Sequence, residues 1–368
     1  MTLSPLEQIL SAMQKNKASD LHLKVGSPPL MRIRKKLVRT KLDPMTRPDI
    51  ESWMYGIMTE NNKKELIEFG AADFSHSVDG VGRFRVNVFF QRGTMSASIR
   101  RVEVEIPTLE QLNLPVALSK ITEIEQGLVI VAGITGCGKS TTLASLLNMI
   151  NKERYCHIVT IENPIEYLYH DERAIVNQRE IGIDVPDYKE ALRYVLRQDP
   201  DVILIGEMRD AETFDTALMA AETGHLVFGT IHVSTAAGAV GRILDYYPID
   251  KHHQIRQMLF FNLRAVIVQK LVPSERPETQ VVPAVEIMYV NPSIKKLIHE
   301  GEDNKIIDVI RGSVREGMQD FSQSLMQLYK SKWISLQSAL DNSPNPDQMK
   351  MQLKGISHGE QKGVLLGG

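Results

Sequence analysis

Residues 128–150 read LVIVAGITGCGKSTTLASLLNMI: an apolar run, a glycine-rich turn and a helical stretch in succession. Within it, Gly133–Ser140 fits the pattern G-x-x-x-x-G-K-S. Glycines let successive backbone N–H groups wrap a phosphate at a helix N-terminus, the lysine reaches the β/γ oxygens, and the next hydroxyl can ligate magnesium. The bare pattern arises by chance in about one chain of this length in a hundred. Its place between a strand and a helix makes chance rarer still. Thr135, Gly136, Cys137, Gly138, Lys139, Ser140 and Thr141 are the candidate nucleotide-binding residues.

Around this turn, strand and helix alternate, which predicts an α/β fold with a mainly parallel sheet. The candidate strands are LVIVAG (128–133), HIVTIE (157–162), DVILIGE (201–207) and HLVFGTIH (225–232). The first and third are nearly continuous apolar runs, as expected of strands buried on both faces. Tyr188, Ala191, Leu192, Val195 and Leu196 make a helical stripe, with Lys189, Arg193 and Arg197 on another face.

Ligands of open α/β sheets bind beyond the carboxyl ends of the strands. Glu207 stands at such an end, where an acid holds magnesium through water or polarises the attacking water. TIENPIEY (160–167) is another strand end, with Pro164 stopping the ladder. If its strand neighbours that of Gly133, both Glu162 and Glu166 lie near the nucleotide, and spacing alone does not choose between them. His225 and His232, seven residues apart in one strand, stand about 23 Å apart on opposite faces. They share no metal. Hydrogen-bonded polar residues at strand ends is their default reading, a sensor of the γ-phosphate the functional one.

Residues 1–104 mix helices and strands without βαβ regularity, predicting a small α+β domain. MTLSPLEQILSAMQK opens it as a capped helix: Ser4 and Glu7 suit a capping box, Pro5 the first helical position, and Leu6, Ile9, Leu10 and Met13 one face. Strands are expected at 21–25, 30–39, 83–92 and 94–102, and helix at 47–69. In RFRVNVFFQR, Phe84, Val86, Val88 and Phe90 alternate with Arg83, Arg85 and Asn87, so one face is core and the other carries arginines. Arg83, Arg85 and Arg100 form either a solvated basic face or a source of an arginine finger for a nucleotide. EIPTLEQLNLPVAL (105–118) reads as a linker, 119–290 as the α/β core, and 291–368 as wholly helical.

The 368 residues exceed what one core usually covers. Hydrophobic residues at 43% and a net charge of −2 describe a soluble globular chain with no global pull towards nucleic acid or anionic lipid. No signal peptide or membrane-spanning run is legible, so a cytoplasmic location is expected. Two cysteines, Cys137 and Cys156, give neither a zinc knuckle nor a disulfide framework.

The motifs together resemble one family along nearly the whole chain: the hexameric ATPases of type II secretion and type IV pili, and within them the PilT/PilU retraction ATPases. The matching stretches are ASDLHL (18–23), GRFRVNVFFQRG (82–93), GITGCGKSTT (133–142), TIENPIEY, NQREIGID (177–184), LRQDPDVILIGEMRD (196–210), AAETGHLVFGTIH (220–232) and NPSIKKLI (291–298). The resemblance implies a PAS-like N-terminal domain, a RecA-like P-loop ATPase domain, a homohexamer, and ATP with Mg2+ held between domains. It makes Lys139 the Walker A lysine, Glu207 the Walker B acid and magnesium ligand with Ser140, Glu166 the water-activating acid of the acidic box, and His225 and His232 the histidine box. Arg83, Arg85 and Arg100 fall in the strands that supply the family's basic residues to the nucleotide. SIRRVEVEIPTLEQLNLP and the stretch 317–342 lean towards PilU, whereas ASDLHL and GEMRD look like PilT. Two positions depart from the family: Asn163 stands where aspartate is usual, and Cys137 where serine is usual. The implied function is a motor for pilus retraction and twitching motility. It would sit at the inner-membrane base of the pilus machine, working on a platform protein, with a second retraction ATPase as a further candidate partner, without nucleic acid and without entering the membrane. The rivals are a poorly hydrolysing accessory nucleotide-binding subunit and a translocase on nucleic acid.

Overall fold

The computed structural model describes residues 3–33 and 36–353. The chain forms two compact units and crosses between them repeatedly. One takes the chain up to Glu105 together with Asn163–Tyr169 and Arg179–Asp187, and the other takes Ile106–Glu162, His170–Gln178 and the chain from Tyr188 onward. A linear division at 104 does not anticipate these two returns, because they depend on contacts made far from their place in sequence.

The N-terminal unit is α+β, built on six strands: β1 (Asp20–Lys24), β2 (Leu30–Ile33), β3 (Lys36–Arg39), β4 (Ala71–Val78), β5 (Gly82–Gln91) and β6 (Thr94–Arg101). They pair antiparallel in the order β3-β2-β1-β6-β5-β4. The helix Pro5–Lys15 begins with the expected capping box, and Leu6, Ile9, Leu10 and Met13 are all buried in the core of this unit. Two segments expected as single elements are divided. Residues 30–39 hold a pair of strands, and 47–69 hold two helices, Arg47–Ile57 and Glu60–Phe69. The second helix starts afresh because the Thr59 hydroxyl accepts the Asn62 N–H at 3.3 Å. β4, AADFSHSV, has too few large apolar residues to announce itself. In β5, Phe84, Val86 and Val88 are buried but Phe90 is 44% exposed. Phe90 pairs with Met95 beside the turn joining β5 to β6, outside the buried cluster.

The second unit carries β7 (Gly127–Ala132), β8 (His157–Glu162), β9 (Ile175–Glu180, whose last two residues belong to the N-terminal unit), β10 (Val202–Ile205), β11 (Leu226–Ile231), β12 (Leu263–Pro273) and β13 (Val281–Tyr289). Their order is β13-β12-β7-β11-β10-β8-β9. β12, β7, β11, β10 and β8 run parallel, and β13 is antiparallel to β12. Every residue of β7, β10 and β11 is buried, as strands covered on both faces require. β8 lies beside β10, with β10 and β11 between it and β7, so the expectation that TIENPIEY sits next to the strand of Gly133 is corrected.

Residues 105–118 are not a free linker. Leu109, Leu114 and Leu118 are buried, and a 3-10 helix runs over Val116–Glu123. After β13 the described chain is helical, with Pro292–Glu300, Ile306–Gly312, Phe321–Lys330, Leu336–Asp341 and Pro346–Leu353. Among the described residues no helix is long and apolar enough to cross a membrane.

Candidate nucleotide site

The parallel register brings several strand ends to one edge. Ile231 pairs with Ala132, and Ile205 pairs with both Gly229 and Ile161. Gly133, His232, Glu207 and Glu162 therefore follow their strands at the same carboxyl edge. With β11 alone between β7 and β10, the turn at Gly133 and Glu207 are separated by about 10 Å of sheet, a gap that phosphate, metal and water can fill.

The turn after β7 is shaped by close approach of β12. A Cβ on Gly133, whose φ is +141°, would lie 2.4 Å from the Gln269 carbonyl oxygen and 2.6 Å from the Cys137 Sγ. At Gly138, φ +91°, it would lie 2.7 Å from Gln269 Nε2. Only glycine fits. Gln269 is a supporting residue that sequence reading missed: buried in β12, it donates from Nε2 to the Cys137 carbonyl at 2.6 Å and accepts the Thr142 hydroxyl at Oε1 at 2.7 Å. The signal for it was a lone amide inside the apolar run AVIVQKLV. Lys139 opens the helix Lys139–Glu153 and donates from Nζ to the carbonyls of Gly133 (2.9 Å) and Ile134 (3.1 Å), arched over the loop. Thr135, Gly136 and Ser140 are exposed, and Thr141 is partly so. Cys137 is buried beneath the loop, and burial pushes its thiol up, so it fills space where serine is usual in the family and is not a nucleophile.

Glu207 accepts from Arg209 Nη2 at 2.6 Å and from His232 Nε2 at 3.0 Å. Burial alone would raise its carboxyl, but Arg209 and His232 more than offset that and hold it below the usual carboxylate range. It is ionised at neutral pH. Tyr188 is pushed up to about 12 by burial and by the charges of Glu207 and Glu162, and so remains a neutral hydroxyl beside them. Arg209 was not singled out from sequence, since an arginine after a strand carries no distinctive pattern, and Tyr188 was read only as part of a helical stripe.

The two histidines part company. His232 joins Glu207, whereas His225 stands at the amino end of β11, held by the Ala220 carbonyl at 2.9 Å and near the Thr223 hydroxyl at 3.2 Å. About 23 Å of extended strand separates it from the carboxyl edge. His225 therefore lies apart from the Glu207 cluster, which His232 alone of the two joins.

The two glutamates of TIENPIEY also differ. Glu162 accepts the Thr160 hydroxyl at 2.6 Å and Gln178 Nε2 at 3.2 Å within the second unit. Glu166 is exposed and belongs to the N-terminal unit, where its carbonyl accepts from the Glu103 N–H at 3.4 Å. In that unit Arg85 and Arg100 are cross-strand partners on an exposed sheet face. They help line a polar cleft of about 250 Å³ with Asp20, Asp73, Asn87 and Ser98. Arg100 pairs with Asp20 at 2.9 Å and Arg85 with Asp73 at 3.9 Å. Arg83 does not share that cleft; it pairs with Glu180 at 2.9 Å.

Among the described residues no group of three or more His, Cys, Asp or Glu is gathered for a metal. The exposed Ser140 hydroxyl and the ionised Glu207 instead fit a magnesium ion held largely by phosphates and water.

A P-loop after an interior strand of a mainly parallel sheet, with an acid at the carboxyl end of a nearby strand, defines a P-loop nucleotide hydrolase. The model of the family described as type II/IV secretion system protein matches residues 83–304, and the chain belongs to that family. It is 38% identical to the type IV pilus ATPase PilU of Pseudomonas aeruginosa, over 95% of this chain and 91% of that one. It is 40% identical to the retraction ATPase PilT of the same organism, over 93% and 99%. A crystal structure of the pilus retraction motor PilT with bound ADP superposes with a TM-score of 0.86 at 42% identity, covering 95% of this chain and 99% of that one. The chain is thus a P-loop ATPase of PilT/PilU type, and the leaning towards PilU is consistent with two nearly equal identities.

Proposed function

We propose that this protein is the ATP-driven motor of type IV pilus retraction, working as a homohexamer at the cytoplasmic base of the pilus machine. The observation that carries the reading is the carboxyl edge of the second unit, where the arched Lys139 and the ionised Glu207–His232–Arg209 cluster follow parallel strands. Coverage of nearly the whole of PilU and PilT supports the same role.

In this reading the turn amides from Thr135 to Gly138 and Lys139 bind the phosphates of ATP. Ser140 and Glu207 would hold a magnesium ion, which would supply charge neutralisation at the phosphates. Glu166 and Glu207 order the attacking water, and His232 reports the γ-phosphate to the Glu207 cluster. Arg85 and Arg100, exposed on one sheet face, are the arginines open to a nucleotide. Hydrolysis then drives a conformational change that, repeated around a ring, does work on a membrane-embedded platform protein. A second retraction ATPase is a further partner in this scheme.

Lys139→Ala and Glu207→Gln are each expected to lower steady-state phosphate release by about 100-fold or more. Wild-type turnover in either purified variant would overturn the mechanism. In cells, deletion is expected to leave surplus surface pili and abolish twitching; bare cells would mean extension instead.

A further inference from the structure

The N-terminal unit contains a buried carboxylate that none of the roles above uses. Glu180, the last residue of β9, is 4% exposed. Its Oε1 accepts the Ser75 hydroxyl of β4 at 2.6 Å, and its Oε2 accepts both Arg83 Nη2 of β5 at 2.9 Å and the Ile165 N–H at 3.3 Å. A buried carboxylate is retained only where its charge and lone pairs are met. Here the three donors come from two strands of the N-terminal sheet and from the loop that carries Glu166, one residue beyond Ile165. A second tie holds the same loop: the Leu168 N–H donates to the Glu103 carbonyl at 3.1 Å, and Glu103 bridges to Tyr167 in parallel.

We propose that Glu180 is a positioning residue which fastens the Glu166 loop to the N-terminal sheet, with Arg83 as its counter-charge. The proposal rests on the assignment of Glu166 as the water-activating acid. Two consequences follow. Glu166 is carried by the N-terminal unit while Lys139 and Glu207 are carried by the other, so loss of the anchor should reach turnover without disturbing the phosphate-binding turn. Arg83 is drawn into the anchor with its side chain 19% exposed, whereas Arg85 and Arg100, though each faces an aspartate, keep side chains 45% and 69% exposed and open to a nucleotide. Arg83→Gln is therefore expected to reproduce the pattern of Glu180→Gln and to differ from Arg100→Gln.

The test uses the full-length assembled protein and the isosteric variant Glu180→Gln. Turnover is expected to fall about 10- to 100-fold, the cost of a catalytic group displaced by about an ångström. KM for ATP and affinity for ADP should stay near wild type, since the phosphate-binding turn lies in the other unit. Combining Glu180→Gln with Glu166→Gln should be no slower than Glu166→Gln alone, because the anchor acts through that acid. Amide hydrogen exchange should quicken over 163–169 while 133–147 keeps its protection. Ser75→Ala, which removes one donor and leaves the ion pair, should show the same pattern in smaller measure and serves if Glu180→Gln folds poorly. Unchanged exchange over 163–169, or single effects that multiply in the double variant, would overturn the proposal. Wild-type turnover in Glu166→Gln would instead overturn the assignment of the acid, and the exchange data would still decide the anchor.

Discussion

Asn163 is where residue identity bears most directly on rate. It keeps the length of aspartate and an acceptor oxygen but lacks the charge that relatives carry at that place, and it is exposed at the start of the loop fastened by Glu180. Asn163→Asp is expected to raise turnover by roughly two- to tenfold, since a carboxylate near the water-activating acid alters its proton affinity. Steady-state phosphate release measures this. Unchanged turnover would remove Asn163 as a restraint and, with it, the only sequence support for a poorly hydrolysing accessory subunit. Lys139, Ser140 and Glu207 stand out in the sequence because a phosphate-binding turn and a strand-end acid are each marked by residue type within a short stretch. Gln269, Arg209 and Glu180 do not, because each acts on a partner distant in sequence or on its own neighbour, and nothing in their spacing marks them.

Among the elements, the helix Ala211–Glu222 follows directly on the Glu207–Arg209 cluster. Asp210 caps it, accepting the Thr213 N–H at 2.9 Å and the Thr213 hydroxyl at 2.8 Å. Asp210→Ala is expected to cost about 1 kcal/mol in chemical denaturation. Turnover should fall less than in Glu207→Gln, because the cap steadies the strand end without touching phosphate. Elements with strong periodicity were read correctly: the capped helix Pro5–Lys15 and the buried runs of β7 and β10. The missed ones have physical excuses. β9 is a polar edge strand, IVNQRE, with only Glu180 buried. β4 buries only Ala72, Phe74 and Val78, too irregularly spaced among small and polar residues to read as a strand. The helix expected over 47–69 is divided at Thr59, where local capping competes with propagation.

For the molecule as a whole, a net charge of −2 argues against a nucleic-acid groove. Single-stranded DNA is expected to show no salt-dependent binding in fluorescence anisotropy at low ionic strength. A steep inverse dependence on salt would revive a translocase role. The sequence by itself determined the nucleotide chemistry and the alternation of strand and helix, since a phosphate turn and buried parallel strands each demand particular residues in a short stretch of chain. Strand order, the separation of His225 from His232, and the return of 163–169 and 179–187 to the N-terminal unit were decided only in the tertiary structure. Which strands lie side by side, and which donors meet a buried carboxylate, depends on contacts across a hundred residues that no local pattern encodes.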